Sequence, residues 1–212
     1  MVLLSGGLDS AVALYWARKR GFRCLCLIFD YGQRHKKEIA SARRIAQSAN
    51  CRRQIVKINL PWKGSALLDG KIALPKRAKG IPSTYVPARN IIFLSFALSY
   101  AEAIKAEAVV IGAHSQDYSG YPDCRPRFYR AFRQVVATGT KAGAEGRAIK
   151  VYAPLIQKSK AEIIRLGRRL KVPLQWSWSC YRGGRRPCNE CDSCYYRAKG
   201  FREAGIADPL CR

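Results

Sequence analysis

The chain has 212 residues and carries 39 Lys and Arg against 14 Asp and Glu, a net charge of +25. That length allows one sizeable core, or one domain with a small appendage. No run of 18 apolar residues marks a membrane helix and no basic n-region precedes a longer apolar segment, so neither insertion nor secretion is indicated and a cytoplasmic location is expected. The charge draws nucleotides, polyphosphates and nucleic acids without choosing among them. Between Arg165 and Arg202 there are ten basic and two acidic residues, a cluster that reads as an RNA footprint or as a solvated face.

Apolar runs bounded by turn residues alternate with segments of helical period, the pattern of an α/β domain with a mostly parallel, doubly wound, Rossmann-like sheet. The first strand, Val2 to Leu4, runs into Ser5-Gly6-Gly7-Leu8-Asp9-Ser10 and then a helix from Ser10 to Arg20, closed by Gly21. A strand that ends in a glycine turn and enters a helix builds a phosphate site. Gly6 and Gly7 let the backbone approach a ligand, and the free N–H groups of the helix point into the turn. Asp9 beside phosphate makes sense if Mg²⁺ bridges the two. The simpler alternative makes Asp9 or Ser10 a helix cap. The Walker lysine pattern is absent.

A second strand, Phe22 to Phe29, leads to Asp30-Tyr31-Gly32, followed by a helix over 36–49 with Ile39, Ala42, Ile45, Ala46 and Ala49 on one stripe. The third strand is Gln54 to Leu60. Residues 61–88, rich in Pro, Gly and Lys, read as a long insertion. The apolar helix Arg89 to Lys105, with Ile92, Phe96 and Ala103 expected inward, feeds the strand Ala108 to Gly112. A polar loop to Asp123, a helix over 125–138, a Gly/Ala-rich connection and the strand Ile149 to Ala153 follow. The last long helix starts after Ser159, which forms a capping box with Glu162. Ligands of doubly wound sheets sit beyond the carboxyl ends of the strands, so the post-strand loops 5–9, 30–32, 113–123 and 154–160 should form the site.

Cys180, Cys188, Cys191 and Cys194 have the spacing C-x7-C-x2-C-x2-C, which lets four thiolates converge on one ion. Tetrahedral Zn²⁺ fits, with an iron–sulfur cluster as the competing occupant. A closed four-thiolate shell leaves no open position, so the role is structural. Cys24 and Cys26 share one strand face and read as core. Cys124 reads as packing, and His35 and His114 as solvated or hydrogen-bonded loop residues.

Together with Tyr85-Val86-Pro87-Ala88-Arg89-Asn90, Gly112-Ala113-His114, Asp117, Ser119 to Arg125 and the four cysteines, the SGGLDS run makes the chain resemble the QueC family of PP-loop ATP pyrophosphatases over nearly its whole length. The resemblance implies an adenine nucleotide alpha hydrolase-like domain over 1–172 and a zinc-binding module over 173–212. It implies a 7-cyano-7-deazaguanine synthase of queuosine and archaeosine biosynthesis, a ligase that turns the carboxylate of 7-carboxy-7-deazaguanine into a nitrile with ammonia and ATP. Leu4, Ser5, Gly6, Gly7, Leu8, Asp9 and Ser10 would hold ATP, with Asp9 on Mg²⁺ and Lys160 neutralising phosphate. Arg89 would contact phosphate or the substrate carboxylate. Asp117, Tyr121, Asp123 and Arg125 would bind the deazaguanine. The expected partners are ATP, ammonia and the acid, in a homodimer with no obligatory nucleic acid and no membrane. The alternative is an RNA-directed PP-loop enzyme of the tRNA lysidine synthetase or thiolase type.

Overall fold

The computed structural model describes residues 1–76, 80–114 and 121–210. Five parallel strands, β1 (Val2–Leu3), β2 (Leu25–Asp30), β3 (Arg52–Lys57), β4 (Ala108–Ile111) and β5 (Lys150–Tyr152), lie in the order β3-β2-β1-β4-β5. The order reverses at β1, which pairs with β2 on one side and β4 on the other. A crevice therefore opens beyond the carboxyl ends of β1 and β4. The outer strand β3 carries Arg52, Arg53 and Lys57, exposed charges that discourage edge-to-edge pairing.

Period-two alternation divides the apolar residues of the strands between two cores. Val2, Leu4, Cys26 and Ile28 face one side, with α1 (Leu8–Lys19), α2 (Lys37–Ser48) and α6 (Lys160–Arg169). Leu3, Leu27, Phe29, Val109 and Ile111 face the other, with α3 (Arg89–Ala103) and α4 (Pro126–Gly139). The expected stripe of α2 is buried throughout. That of α3 is rotated. Leu94, Ala97, Leu98 and Ala101 are buried, whereas Phe96 is 46% exposed and Ala103 is exposed. This helix is apolar on nearly every side, so the sequence offers no polar face to fix its rotation.

The Gly/Ala-rich connection contains a short helix, α5 (Lys141–Ala144), capped by Thr140, whose hydroxyl accepts from the Gly143 N–H. The capping box of Ser159 and Glu162 starts α6. The C-terminal segment holds a further helix, α7 (Asp192–Ala204), whose Phe201 is buried in the same core as α1 and α6. Arg197 of α7 pairs with Asp208 at 2.7 Å and donates to Ser177 Oγ at 2.9 Å, tying helix, tail and the preceding strand-like run together. Among the described residues, no helix is long and apolar enough to cross a membrane.

Candidate active site and metal centre

The turn after β1 is shaped by its glycines and cinched by its serines. Gly6 has φ +86°, and a Cβ there would lie 2.1 Å from the Glu38 carbonyl oxygen and 2.8 Å from the Ala42 nitrogen, so only glycine lets the turn pack against α2. Gly112, at the end of β4, plays the matching part on the other side: a Cβ would meet Ser10 backbone at 2.7 Å. Ser5 Oγ donates to Ser10 Oγ at 3.0 Å and accepts from the Gly7 N–H at 3.3 Å, while Ser10 Oγ donates to the Gly7 carbonyl at 3.1 Å. The N-cap of α1 is Gly7, and neither Asp9 nor Ser10 caps the helix, which begins at Leu8 rather than Ser10. The capping alternative for these residues is thereby corrected.

Asp9 in the first turn of α1 faces the crevice and meets the first residue of α6. Lys160 Nζ donates to both Asp9 oxygens, at 2.9 and 3.0 Å, and lies 2.9 Å from His114 Nε2. His114 Nε2 is itself 3.2 Å from Asp9 Oδ2. Burial alone would push the Asp9 carboxyl up. The adjacent Lys160 ammonium, with help from His114, holds it well below the usual carboxylate range. Lys160 is admitted by Gly200 of α7, where a Cβ would stand 2.3 Å from Lys160 Cγ.

Beyond the turn the crevice deepens into a cavity of about 330 Å³, with Ser5, Asp9 and Lys160 at one end and Phe93 and Tyr121 in its wall. Leu4, Gly7, Leu8 and Ser10 line it as well, and Gly6 supports the turn from behind. Arg89 enters from the start of α3, after Ala88 takes a left-handed φ of +53°, a backbone state that non-glycine residues rarely hold. Arg89 Nη1 donates to Tyr31 Oη at 3.3 Å. Burial opposes its charge, yet the surrounding tyrosine hydroxyls and Glu38 keep the guanidinium charged. Tyr121 Oη shares a hydrogen bond with Thr84 Oγ1 at 2.8 Å, and its ring tilts against Tyr85 at 5.7 Å.

Asp123 and Arg125 are not brought to the cavity. Asp123 is buried, and its Oδ2 accepts from the Asn90 N–H at 3.0 Å, which satisfies a free donor at the start of α3. Arg125 is exposed at the entry to α4. Asp117 lies outside the described residues. Cys124 touches the cavity, but burial first and then the Asp123 carboxylate push its thiol up to about 11, so it is not a thiolate at neutral pH.

Glu38 and Tyr181 escaped the sequence reading, whereas His114, expected as a solvated or hydrogen-bonded loop residue, is hydrogen-bonded to Lys160 at the cavity. Glu38 reads in sequence as an acid in the first turn of a helix, where the dipole accounts for it. Tyr181 is hidden among the cysteines. The backbone of the C-terminal run reaches the phosphate turn directly, since the Trp178 N–H donates to the Gly6 carbonyl at 2.9 Å.

Cys180, Cys188, Cys191 and Cys194 place their sulfurs within 4.8 Å of one another. Four Zn–S bonds of about 2.3 Å in a tetrahedron put sulfurs about 3.8 Å apart, and Cys188 and Cys194 are 3.9 Å apart. The N–H groups of Cys188 and Cys191 each donate to a cluster sulfur at 3.4 Å, as thiolate ligands require. The site is thus fit to hold a metal ion, compatible with zinc. Cys191 and Cys194 sit at the start of α7, so the cluster anchors the helix whose Ser193 and Tyr196 line the cavity.

The family model described as queuosine biosynthesis protein QueC matches residues 1–205. The chain is 54% identical over 221 residues to the 7-cyano-7-deazaguanine synthase of Acaryochloris marina, covering 99% of this chain and 97% of that one. It is 50% identical to the same synthase of Trichodesmium erythraeum, with coverage of 99% and 98%. Among solved structures, NMN synthetase from Francisella tularensis matches with a TM-score of 0.51 at 17% identity, over 97% of this chain and 76% of that one. A predicted subunit of tRNA methyltransferase from Methanocaldococcus jannaschii matches at 0.50 and 12%, over 98% and 88%. The two structures establish the shared fold. On the sequence matches, the chain belongs to the queuosine biosynthesis protein QueC family.

Proposed function

We propose that this protein is a 7-cyano-7-deazaguanine synthase, converting 7-carboxy-7-deazaguanine, ammonia and ATP to the nitrile. The observation that carries the reading furthest is the Asp9–Lys160 pair at the glycine turn, opening onto one cavity that continues to Arg89 and Tyr121. One end offers what a triphosphate needs and the other what a purine-like acid needs.

In this reading the turn amides, Ser5 and Ser10 cradle the pyrophosphate, and Lys160 leaves Asp9 for phosphate oxygens when nucleotide enters. Asp9 would hold Mg²⁺, and a cation there supplies charge neutralisation of the departing pyrophosphate. Arg89 orients the substrate carboxylate so that its oxygen attacks the α-phosphorus, giving the acyl adenylate. Ammonia displaces AMP to form the amide. Adenylation of the amide oxygen then makes AMP the leaving group again, and its elimination leaves the nitrile. Tyr121 stacks against the ring. The buried walls limit hydrolysis of the adenylate. Zinc in the cysteine cluster holds α7 in place and takes no part in the chemistry. ATP, ammonia and the acid are the partners of this reading, and nucleic acid is not required. The exposed Ile91 and Phe96 of α3, with Ile104 just past its C-terminus, support a homodimer, and a reduced cytoplasm suits a cluster of free thiols.

The test is pyrophosphate release from ATP with candidate acceptors. Release that requires 7-carboxy-7-deazaguanine is the expected result. Release that requires tRNA and ignores the acid would overturn the reading in favour of an RNA-directed PP-loop enzyme.

A further inference from the structure

One acid in the cavity is used by none of the steps above. Glu38, in the first turn of α2, lines the cavity, and its own backbone carbonyl packs against Gly6, which places it beside the phosphate turn. The groups that face it come from three directions: Arg89 from α3, Tyr31 from the end of β2 and Tyr181 from the C-terminal run. Among the described residues its carboxyl makes no hydrogen bond and no ion pair, unlike Asp9, which is committed to Lys160. Burial pushes the Glu38 carboxyl up to about 7, with Arg89 only partly opposing the shift. A carboxyl that is half ionised at neutral pH suits proton transfer better than it suits a fixed hydrogen bond to a ligand.

We infer that Glu38 is the general base that removes protons from the attacking nitrogen. The inference deepens the nitrile-forming reading and rests on it. The balance requires such a group. As ammonia forms its C–N bond and the bond to the AMP oxygen breaks, one N–H proton must leave for the amide to be neutral. After the second adenylation the nitrogen is a protonated imidate and loses two more protons. The electron pair of the last N–H bond becomes the third C–N bond as AMP departs. Three protons leave the nitrogen in all, and the two carboxylate oxygens leave one in each AMP. Glu38 accepts each proton and returns it to water through the mouth of the cavity between steps, which a carboxyl titrating near neutrality can do.

The experiment compares wild type with Glu38→Gln and Glu38→Asp in three assays: acid-dependent exchange of labelled pyrophosphate into ATP without ammonia, hydroxamate formation with hydroxylamine, and nitrile formation with ammonium. Hydroxylamine is neutral at pH 7, and the proton on its nitrogen after attack, made acidic by the adjoining oxygen, passes to water without a base. Glu38→Gln is expected to keep exchange and hydroxamate formation but to lose about 10²–10⁴-fold in nitrile formation. The fall in wild-type nitrile rate as pH drops through 7 should be absent from its residual activity. If the Gln variant does not fold, Glu38→Asp decides, with exchange kept and nitrile formation slowed. Nitrile formation at the wild-type rate, or exchange lost in step with it, overturns the assignment. Absence of acid-dependent exchange in wild type overturns the synthase reading instead.

Discussion

Lys160→Met keeps the length of the side chain and removes the ammonium that lies 2.9 and 3.0 Å from the two Asp9 oxygens. A hydrogen bond to a charged group contributes about 1.5–3 kcal/mol when buried. The pair is partly screened, with 25% of the Asp9 side chain and 14% of Lys160 exposed. His114 still approaches one oxygen at 3.2 Å. The expected loss is therefore about 1–3 kcal/mol for the whole pair rather than a sum over both bonds. In a chain of this size that lowers Tm by about 2–12 °C. The stabilisation from a carboxylate held low is present above its unfolded pKa and is lost as pH falls through the folded one. Without Lys160 the Asp9 carboxyl rises, so the variant should begin to lose stability at a higher pH than wild type. Acid-dependent pyrophosphate release should fall about 10²–10³-fold, the effect of removing one preorganised charge from a transition state. Thermal melts at neutral and mildly acidic pH, run beside pyrophosphate release, check both parts. A variant with the wild-type melting curve and rate would refute the roles given to this pair.

Gly6→Ala should abolish ATP binding, measured calorimetrically, because the turn cannot hold a positive φ and clear the Glu38 carbonyl together; wild-type affinity would contradict the packing argument. The purified protein should carry one zinc per chain, and chelation should raise hydrogen exchange over α7 while sparing α1; iron with visible absorbance would point to a cluster instead. Arg197→Ala removes the guanidinium that donates to Asp208 at 2.7 and 2.9 Å and to Ser177 Oγ at 2.9 Å, and should destabilise the chain by about 3–5 kcal/mol in denaturant melts, whereas a loss under 1 kcal/mol would show the pair is not a tie. Cys124→Ser should leave pyrophosphate release unchanged, since the thiol is protonated at neutral pH; loss of activity with the fold intact would point to a nucleophilic role instead.

Features decided by short stretches of chain were legible in the sequence. The glycine turn, the capping box of Ser159 and the alternation of Val2, Leu3, Leu27 and Ile28 between two faces each depend on residues a few positions apart. The spacing of the cysteines was enough to place four sulfurs together, because successive CxxC steps fold back within a turn. What the sequence hid was assembled over long distance. Lys160 meets Asp9 across 151 positions, and the histidine between them gives no local sign of either. Asp123 looked like a ligand-reading acid because loops commonly carry such residues, yet its carboxylate accepts from the N–H of Asn90, 33 positions earlier, at the N-terminus of a helix. Phe96 looked inward because α3 is apolar around its circumference, and only the packing of Leu94 and Leu98 on the sheet fixes the rotation. Helix α7 was masked by the cysteines and arginines that crowd its sequence.

The measurement closest to the central claim is the stoichiometry of the complete reaction, following AMP, pyrophosphate and nitrile together with 7-carboxy-7-deazaguanine, ammonium and limiting ATP. Two adenylations at one site require two AMP and two pyrophosphate for each nitrile, with the amide appearing first and then being consumed. A single AMP per nitrile, or AMP formed without any dependence on the acid, would contradict the account.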